Sequence, residues 1–281
     1  MNLTVIGGDL RQVYAAELLA LAGHTVKAIS SAAPPLGVEI GEDAEEAAHS
    51  ADAILLPIPA ADRGGVIRGT EGLSPSALLP WLRSGSLILG GNLSASLVAS
   101  ARELGIRTFD YLNSESFVLQ NAYLTAQAAL GILLRELPVC LHRTGIAVLG
   151  FGRIGKFLVR MLRSLGAEVT VFARSGGDLA MASLIGVETK TVSQLSSERA
   201  LGAVRAVVNT APARLLTTAH LSHLEAGTLL LELASGSDNL PPLPKGSSLR
   251  VLSAQGLPGK CFPKSAGRIV AEATQTALSP V

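Results

Sequence analysis

Cysteine is nearly absent: Cys140 and Cys261 lie far apart, and neither has a second thiol near it. That excludes a disulfide framework and a thiolate metal site, and it fits a reducing cytoplasm. Charge is also scarce. Charged residues make up 16% of the chain, where about 25% is usual, while hydrophobic ones reach 48%. So little charge on so apolar a chain points to surface hidden against another chain, and a homo-oligomer or a complex is expected. Lys and Arg number 23 against 22 Asp and Glu, a formal charge of +1. No basic stretch tracks a phosphate backbone, so nucleic acid is not an expected partner. No basic leader precedes the strand-like Leu3-Thr4-Val5-Ile6. The longest nearly uncharged apolar stretch, around 122–134, is too short to cross a bilayer. A cytoplasmic chain without a membrane partner is the expectation.

What is present is enough chain for two domains, 281 residues at about 150 each. Short aliphatic runs alternate with helical patterns. A strand at 3–6, a helix at 10–21 and a strand at 25–29 make a βαβ opening. Strands at 53–56, 86–89 and 106–109 follow, with helices at 76–83 and 94–104. A helical segment at 122–137 leads through Pro138 into a second series. It has strands at 146–149 and 168–173 around a helix at 154–165, then strands at 204–208, 229–233 and 250–252. The segment 236–248, rich in Gly, Pro and Ser, reads as a loop. The fold class expected is α/β, two doubly wound Rossmann-like domains. One spans 1–121 and is completed by the final helix at 264–281; the other spans 122–263.

The most specific motif is Gly150-Phe151-Gly152-Arg153-Ile154-Gly155, directly after a hydrophobic strand and before a helix. The first glycine permits the tight turn, the second lets a pyrophosphate approach the backbone, and the third lets helix and strand pack closely. A site for the unphosphorylated cofactor would place Asp or Glu about 20 residues on. This strand ends in Arg174-Ser175 instead, a cation and a hydroxyl suited to a 2′-phosphate, so NADP is favoured over NAD. Asn209, Thr210 and Pro212 close another strand of the same domain and are expected beside the nicotinamide end. The segment Glu232-Leu233-Ala234-Ser235 has the same claim.

Gly7-Gly8-Asp9-Leu10-Arg11-Gln12 also joins a strand to a helix, but the fingerprint would need glycine at Asp9 and Gln12, and a carboxylate there repels pyrophosphate. Asp9 reads either as a helix N-cap or, with Arg11, as part of a receptor for a small carboxylate. Near the end, Pro263-Lys264-Ser265 opens a helix with free amides, a cation and a hydroxyl, a second place to hold an anion. Lys264 is the best proton-transfer candidate, provided that burial or a neighbouring cation lowers its affinity for the proton.

These segments, with Asn121-Ala122, Thr125-Ala126 and Leu257-Pro258-Gly259, together resemble the dipicolinate synthase A-subunit family of spore-forming bacteria. The resemblance implies an NADP-binding Rossmann domain, a flavodoxin-like or Rossmann-like N-terminal domain for the substrate, and an active site in a cleft between them. It implies oxidation of a dihydrodipicolinate-type cyclic dicarboxylate to dipicolinate in the mother cell of a sporulating bacterium. A flavoprotein-like B subunit is the implied partner, and Asn121 and Thr125 are implied to line the cleft. The chain departs from the family at Leu124, Gln127 and Ala128, where Pro, Glu and Gly are more usual. Gln127 removes a titratable group, which keeps open a catalytically silent NADP-binding subunit.

A D-2-hydroxyacid dehydrogenase would share the two-domain plan but needs a late histidine as acid and base. His220 and His223 are the only histidines after residue 142, and both sit in a helical stretch. Their spacing also suggests a metal, but no thiol or carboxylate motif completes a shell, and no metal is expected.

Overall fold

The computed structural model describes residues 1–236 and 239–279. The chain divides into two compact units, Met1–Asn121 with Pro258–Val281, and Ala122–Leu257. In the first, β1 (Asn2–Ile6), α1 (Leu10–Leu21) and β2 (Thr25–Ile29) form the opening βαβ unit. β3 (Glu39–Gly41), α2 (Ala44–His49), β4 (Ala53–Leu55), β5 (Leu87–Gly90), α3 (Ala95–Glu103) and β6 (Arg107–Asp110) follow. All strands pair in parallel in the order β3-β2-β1-β4-β5-β6. Helical crossovers cover the faces of such a sheet, so its inner strands β1, β4 and β5 are largely aliphatic on both sides. Ile6, Ile54, Leu56, Leu78, Ile88 and Leu97 fill one core cluster.

The helix α4 (Glu115–Glu136) leads into the second unit, which holds β7 (Gly145–Leu149), α5 (Arg153–Ser164), β8 (Glu168–Ala173), α6 (Gly176–Leu184) and β9 (Glu188–Thr191). β10 (Ala206–Asn209), α7 (Thr218–Ser222), β11 (Leu229–Glu232) and β12 (Arg250–Ser253) complete its sheet. The order β12-β11-β10-β7-β8-β9 is again wholly parallel. Each sheet therefore reverses its winding once, beside β1 and β4 in the first unit and beside β7 and β10 in the second. The crevice beyond the carboxyl ends of strands at such a reversal is where open α/β sheets take ligands.

After β12 come α8 (Leu257–Cys261) and α9 (Pro263–Leu278). α9 packs along α1 so closely that a Cβ at Gly267 would stand 2.8 Å from the Arg11 carbonyl oxygen and 2.7 Å from the Tyr14 Cβ. Tyr111, fully buried, stacks on Phe117 and shares a hydrogen bond of 3.0 Å with the buried Thr274 hydroxyl. Burial pushes the Tyr111 phenol well above its ordinary pKa.

Both sheets follow the expected α/β class, and several elements differ locally. The helix expected at 76–83 is a 3-10 turn, Pro75–Trp81, because Pro80 inside it has no N–H to donate. The helix expected at 122–137 begins seven residues earlier, at Glu115. At 22 residues it is long and apolar enough to cross a membrane by length and composition, although half of its apolar window is buried in the fold. β3, α2, α6 and β9 are not legible in the sequence: the two strands are short edge strands with half-exposed faces, so neither has an aliphatic run. The segment 236–248 carries no helix or strand over its described part. Ser237 and Asp238 of that segment, and Pro280 and Val281 of the last helical stretch, lie outside the described residues.

Candidate functional site

In the second unit the turn between β7 and α5 is built by its glycines. Gly150 has φ +94°, in the region that favours glycine, and a Cβ there would stand 2.7 Å from the Thr210 hydroxyl. A Cβ on Gly155 would meet the Gly150 carbonyl at 2.6 Å, so this glycine sets how closely helix and strand pack. Gly152 differs, since a Cβ there would project into open space. It is also the N-cap of α5, with no side chain capping the helix and no acid in the first turn. A helix start without a side-chain cap, under an unobstructed glycine, suits an approaching pyrophosphate. Phe151 is buried, Ile154 half-buried and Arg153 exposed.

β8 delivers Arg174 and Ser175 to the surface beside this turn. Ser175 is the N-cap of α6 and accepts from the Asp178 amide. Gly176, next to it, has nothing within 4 Å of where a Cβ would be. Asp178, a carboxylate in the first turn of α6, belongs to no motif and carries no signal in the sequence. Lys156 from α5 pairs with it at 2.9 Å, which offsets its charge beside Arg174.

At the end of β10 the structure corrects one assignment. Asn209 is 2% exposed, and its carboxamide is spent inside the protein. Its Nδ2 donates to Glu232 at 2.8 Å and to the Ala211 carbonyl at 3.1 Å, and its Oδ1 accepts from the Ala211 amide. It shapes the loop rather than offering a side chain to a ligand. Thr210 donates to the carbonyls of Leu149 and Gly150 at 3.0 and 3.2 Å, tying the loop to the glycine turn, and Pro212 is exposed.

In the first unit the turn after β1 holds its own chain. Gly8 donates to the Arg68 carbonyl at 2.7 Å, and a Cβ on Gly7 would lie 2.3 Å from that oxygen. Asp9 caps α1 in a capping box with Gln12. Its carboxylate also holds Arg11 through two bonds, 2.9 Å to Nε and 2.8 Å to one terminal nitrogen, which donates as well to the Ile58 carbonyl. Burial raises the Asp9 pKa, but the hydrogen bonds and charge of Arg11 outweigh it and hold the carboxyl below its ordinary value. Gly259 of α8 lies over this pair, where a Cβ would be 2.6 Å from Arg11 Nε.

Arg11 is thus a buried cation already matched by Asp9, not the open anion receptor expected of it. Arg68 is the more accessible guanidinium at this turn, exposed and 4.0 Å from Asp9. No sequence pattern singles it out, because it stands in an irregular loop outside any motif.

Lys264, in the first turn of α9, is exposed and sits 5.5 Å from the centre of the Tyr14 ring. The burial that a neutral lysine base requires is missing. Ser265 beside it is half-buried. On α4, Asn121 is half-buried and Thr125 buried, one turn apart on the same face, while Gln127 points to the exterior. His220 is buried against the Leu195 carbonyl and the Thr217 hydroxyl, a structural role, and no metal-holding cluster occurs among the described residues.

A family model for the N-terminal domain of the dipicolinate synthase A-subunit matches residues 2–112. The dipicolinate synthase A-subunit of Bacillus subtilis (strain 168) is 27% identical over 237 residues, which cover 82% of this chain and 78% of that protein. The crystal structure of the dipicolinate synthase A-subunit from Bacillus halodurans superposes with a TM-score of 0.85 at 25% identity, covering 100% of this chain and 98% of the other. That of the corresponding chain of Bacillus subtilis dipicolinate synthase gives a TM-score of 0.82 at 25% identity over 99% and 95%. Sequence and fold together bear out the resemblance to the A-type polypeptides of dipicolinate synthase.

Proposed function

We propose that this chain is the A-subunit of a dipicolinate synthase, an NADP-dependent dehydrogenase that oxidises a dihydrodipicolinate-type cyclic dicarboxylate to dipicolinate. The observation that carries the reading is the glycine cradle of the second unit followed by Arg174-Ser175-Gly176. The three glycines have the steric environments that a pyrophosphate site needs, and the end of β8 offers a guanidinium, a hydroxyl and helix amides. A nicotinamide dinucleotide, when bound, takes the hydride that the ring carbon gives up. The protein's own residues then have two tasks, holding the cofactor and anchoring two carboxylates, because aromatisation of the ring supplies the driving force.

For the cofactor, Gly150, Gly152 and Gly155 with the first amides of α5 hold the pyrophosphate. Arg174 and Ser175 with the start of α6 hold the 2′-phosphate, and the backbone of 209–212 bounds the nicotinamide end. For the substrate, Lys264, Ser265 and Arg68 are the accessible groups of the first unit. The Asp9–Arg11 pair braces the turn after β1, and the family resemblance adds Asn121 and Thr125 of α4. Exposure suits Lys264 as an anion anchor, and the proton lost in the oxidation passes to solvent.

The departure at Gln127 favours a second reading, a dinucleotide-binding subunit that supports the activity of a B-type flavoprotein partner. One assay separates the two. The purified chain, with and without a B-type subunit, is given freshly generated dihydrodipicolinate, and NADPH formation is followed by absorbance. Turnover with NADP exceeding that with NAD is the expected result. Dinucleotide binding without turnover in either mixture selects the silent reading, and absence of binding to both dinucleotides overturns both.

A further inference from the structure

Glu232 is a buried carboxylate that the proposed chemistry does not use. It is the last residue of β11, 6% exposed, and in register with Asn209 at the end of β10. Its two oxygens serve two donors on two loops: one accepts from Asn209 Nδ2 at 2.8 Å and the other from the Ala234 amide at 2.7 Å. Both partners donate, so the position calls for a group that only accepts. A glutamine satisfies one and sets an N–H against the other.

The influence of this grip extends to the glycine turn. Asn209 closes the loop on itself through both the amide and the carbonyl of Ala211, and the next residue, Thr210, donates to the Leu149 and Gly150 carbonyls. On the other side, Gln255 donates to the Ala234 and Gly236 carbonyls and steadies the loop after β11. Burying a carboxylate is costly without a cation. Among the described residues, the groups acting on Glu232 are neutral: Asn209 from β10, Ala234 and Asn239 after β11. From the segment after β12, the Ala254 amide donates to its backbone carbonyl. Burial raises the carboxyl's pKa and the hydrogen bonds pull it partly back.

We propose that Glu232 is a positioning residue of the dinucleotide site, fixing the carboxamide of Asn209 so that the loop 209–212 keeps the glycine turn in its phosphate-binding shape. The inference rests on the dinucleotide reading above. Its test is a binding titration of the full chain with NADH and NADPH, followed by nicotinamide fluorescence, with circular dichroism as the control for folding. Glu232→Gln weakens both dinucleotides by about tenfold, the worth of one charge-assisted hydrogen bond.

In the wild type, NADH affinity falls as the pH drops through the Glu232 titration, because a protonated oxygen no longer accepts; Glu232→Gln abolishes that dependence. NADH is the probe because it lacks a titrating 2′-phosphate. Unchanged affinity in folded Glu232→Gln or a flat wild-type profile overturns the inference alone. A wild-type chain that binds neither dinucleotide overturns the site reading, and the inference with it.

Discussion

Arg174 stands exposed at the end of β8, where its guanidinium is open to an incoming phosphate. Where the unphosphorylated cofactor needs a carboxylate to meet the ribose hydroxyls, this chain has a cation. Arg174→Asp is therefore expected to weaken NADPH binding by about tenfold or more and to leave NADH binding within about twofold, as removal of one charge-assisted contact would. Parallel fluorescence titrations of the two dinucleotides check this, and equal losses would remove Arg174 from the site. The residue is a candidate from the sequence because it occupies a fixed place after the fingerprint. The inward turn of Asn209 was not, since only the neighbouring strand brings Glu232 within reach of its carboxamide.

Helix α1 shows the same division at the scale of an element. Its N-terminus is announced by Asp9 with Gln12 three residues on, and the capping box is present as that spacing implies. Asp9→Ala is expected to cost about 1 kcal/mol of stability through the lost cap, and more where it also strips Arg11 of its partner. Asp9→Asn keeps the cap and removes the charge. Because the Asp9 pKa is lowered in the fold, its ionic contribution is fully present above the unfolded value of 3.8 and is lost as the pH falls through the lower folded value. The stability gap between wild type and Asp9→Asn should accordingly close in acid, as measured by urea unfolding from neutral pH downward. A gap that persists below that titration would mean the Asp9–Arg11 attraction contributes nothing.

On the scale of the whole molecule, the chain leaves the first unit, builds the second, and returns through α8 and α9. The return is locked by Gly267, which admits α1, and by the buried Tyr111–Thr274 hydrogen bond. Tyr111→Phe is expected to destabilise the protein by about 1–3 kcal/mol by leaving a buried hydroxyl unpaired. Adding Thr274→Val should restore part of that loss, because the unpaired group is then gone. Thermal and urea unfolding of the two single variants and the double variant test this as a cycle. Strict additivity would show that the two hydroxyls do not depend on each other.

Period and punctuation in the sequence determined the class of the fold. Aliphatic runs four to six residues long, bounded by glycine and separated by helical patterns, have few stable arrangements other than parallel sheets under helices. The glycine turn at 150–155 was equally legible, because backbone conformation and spacing along the chain define such a turn. The tertiary structure decided which polar groups remain free. Asp9 neutralises Arg11, Lys156 offsets Asp178, Glu232 claims Asn209, and Lys264 stays at the surface; each outcome depends on distances across elements that hydrophobic packing sets, which no local spacing encodes.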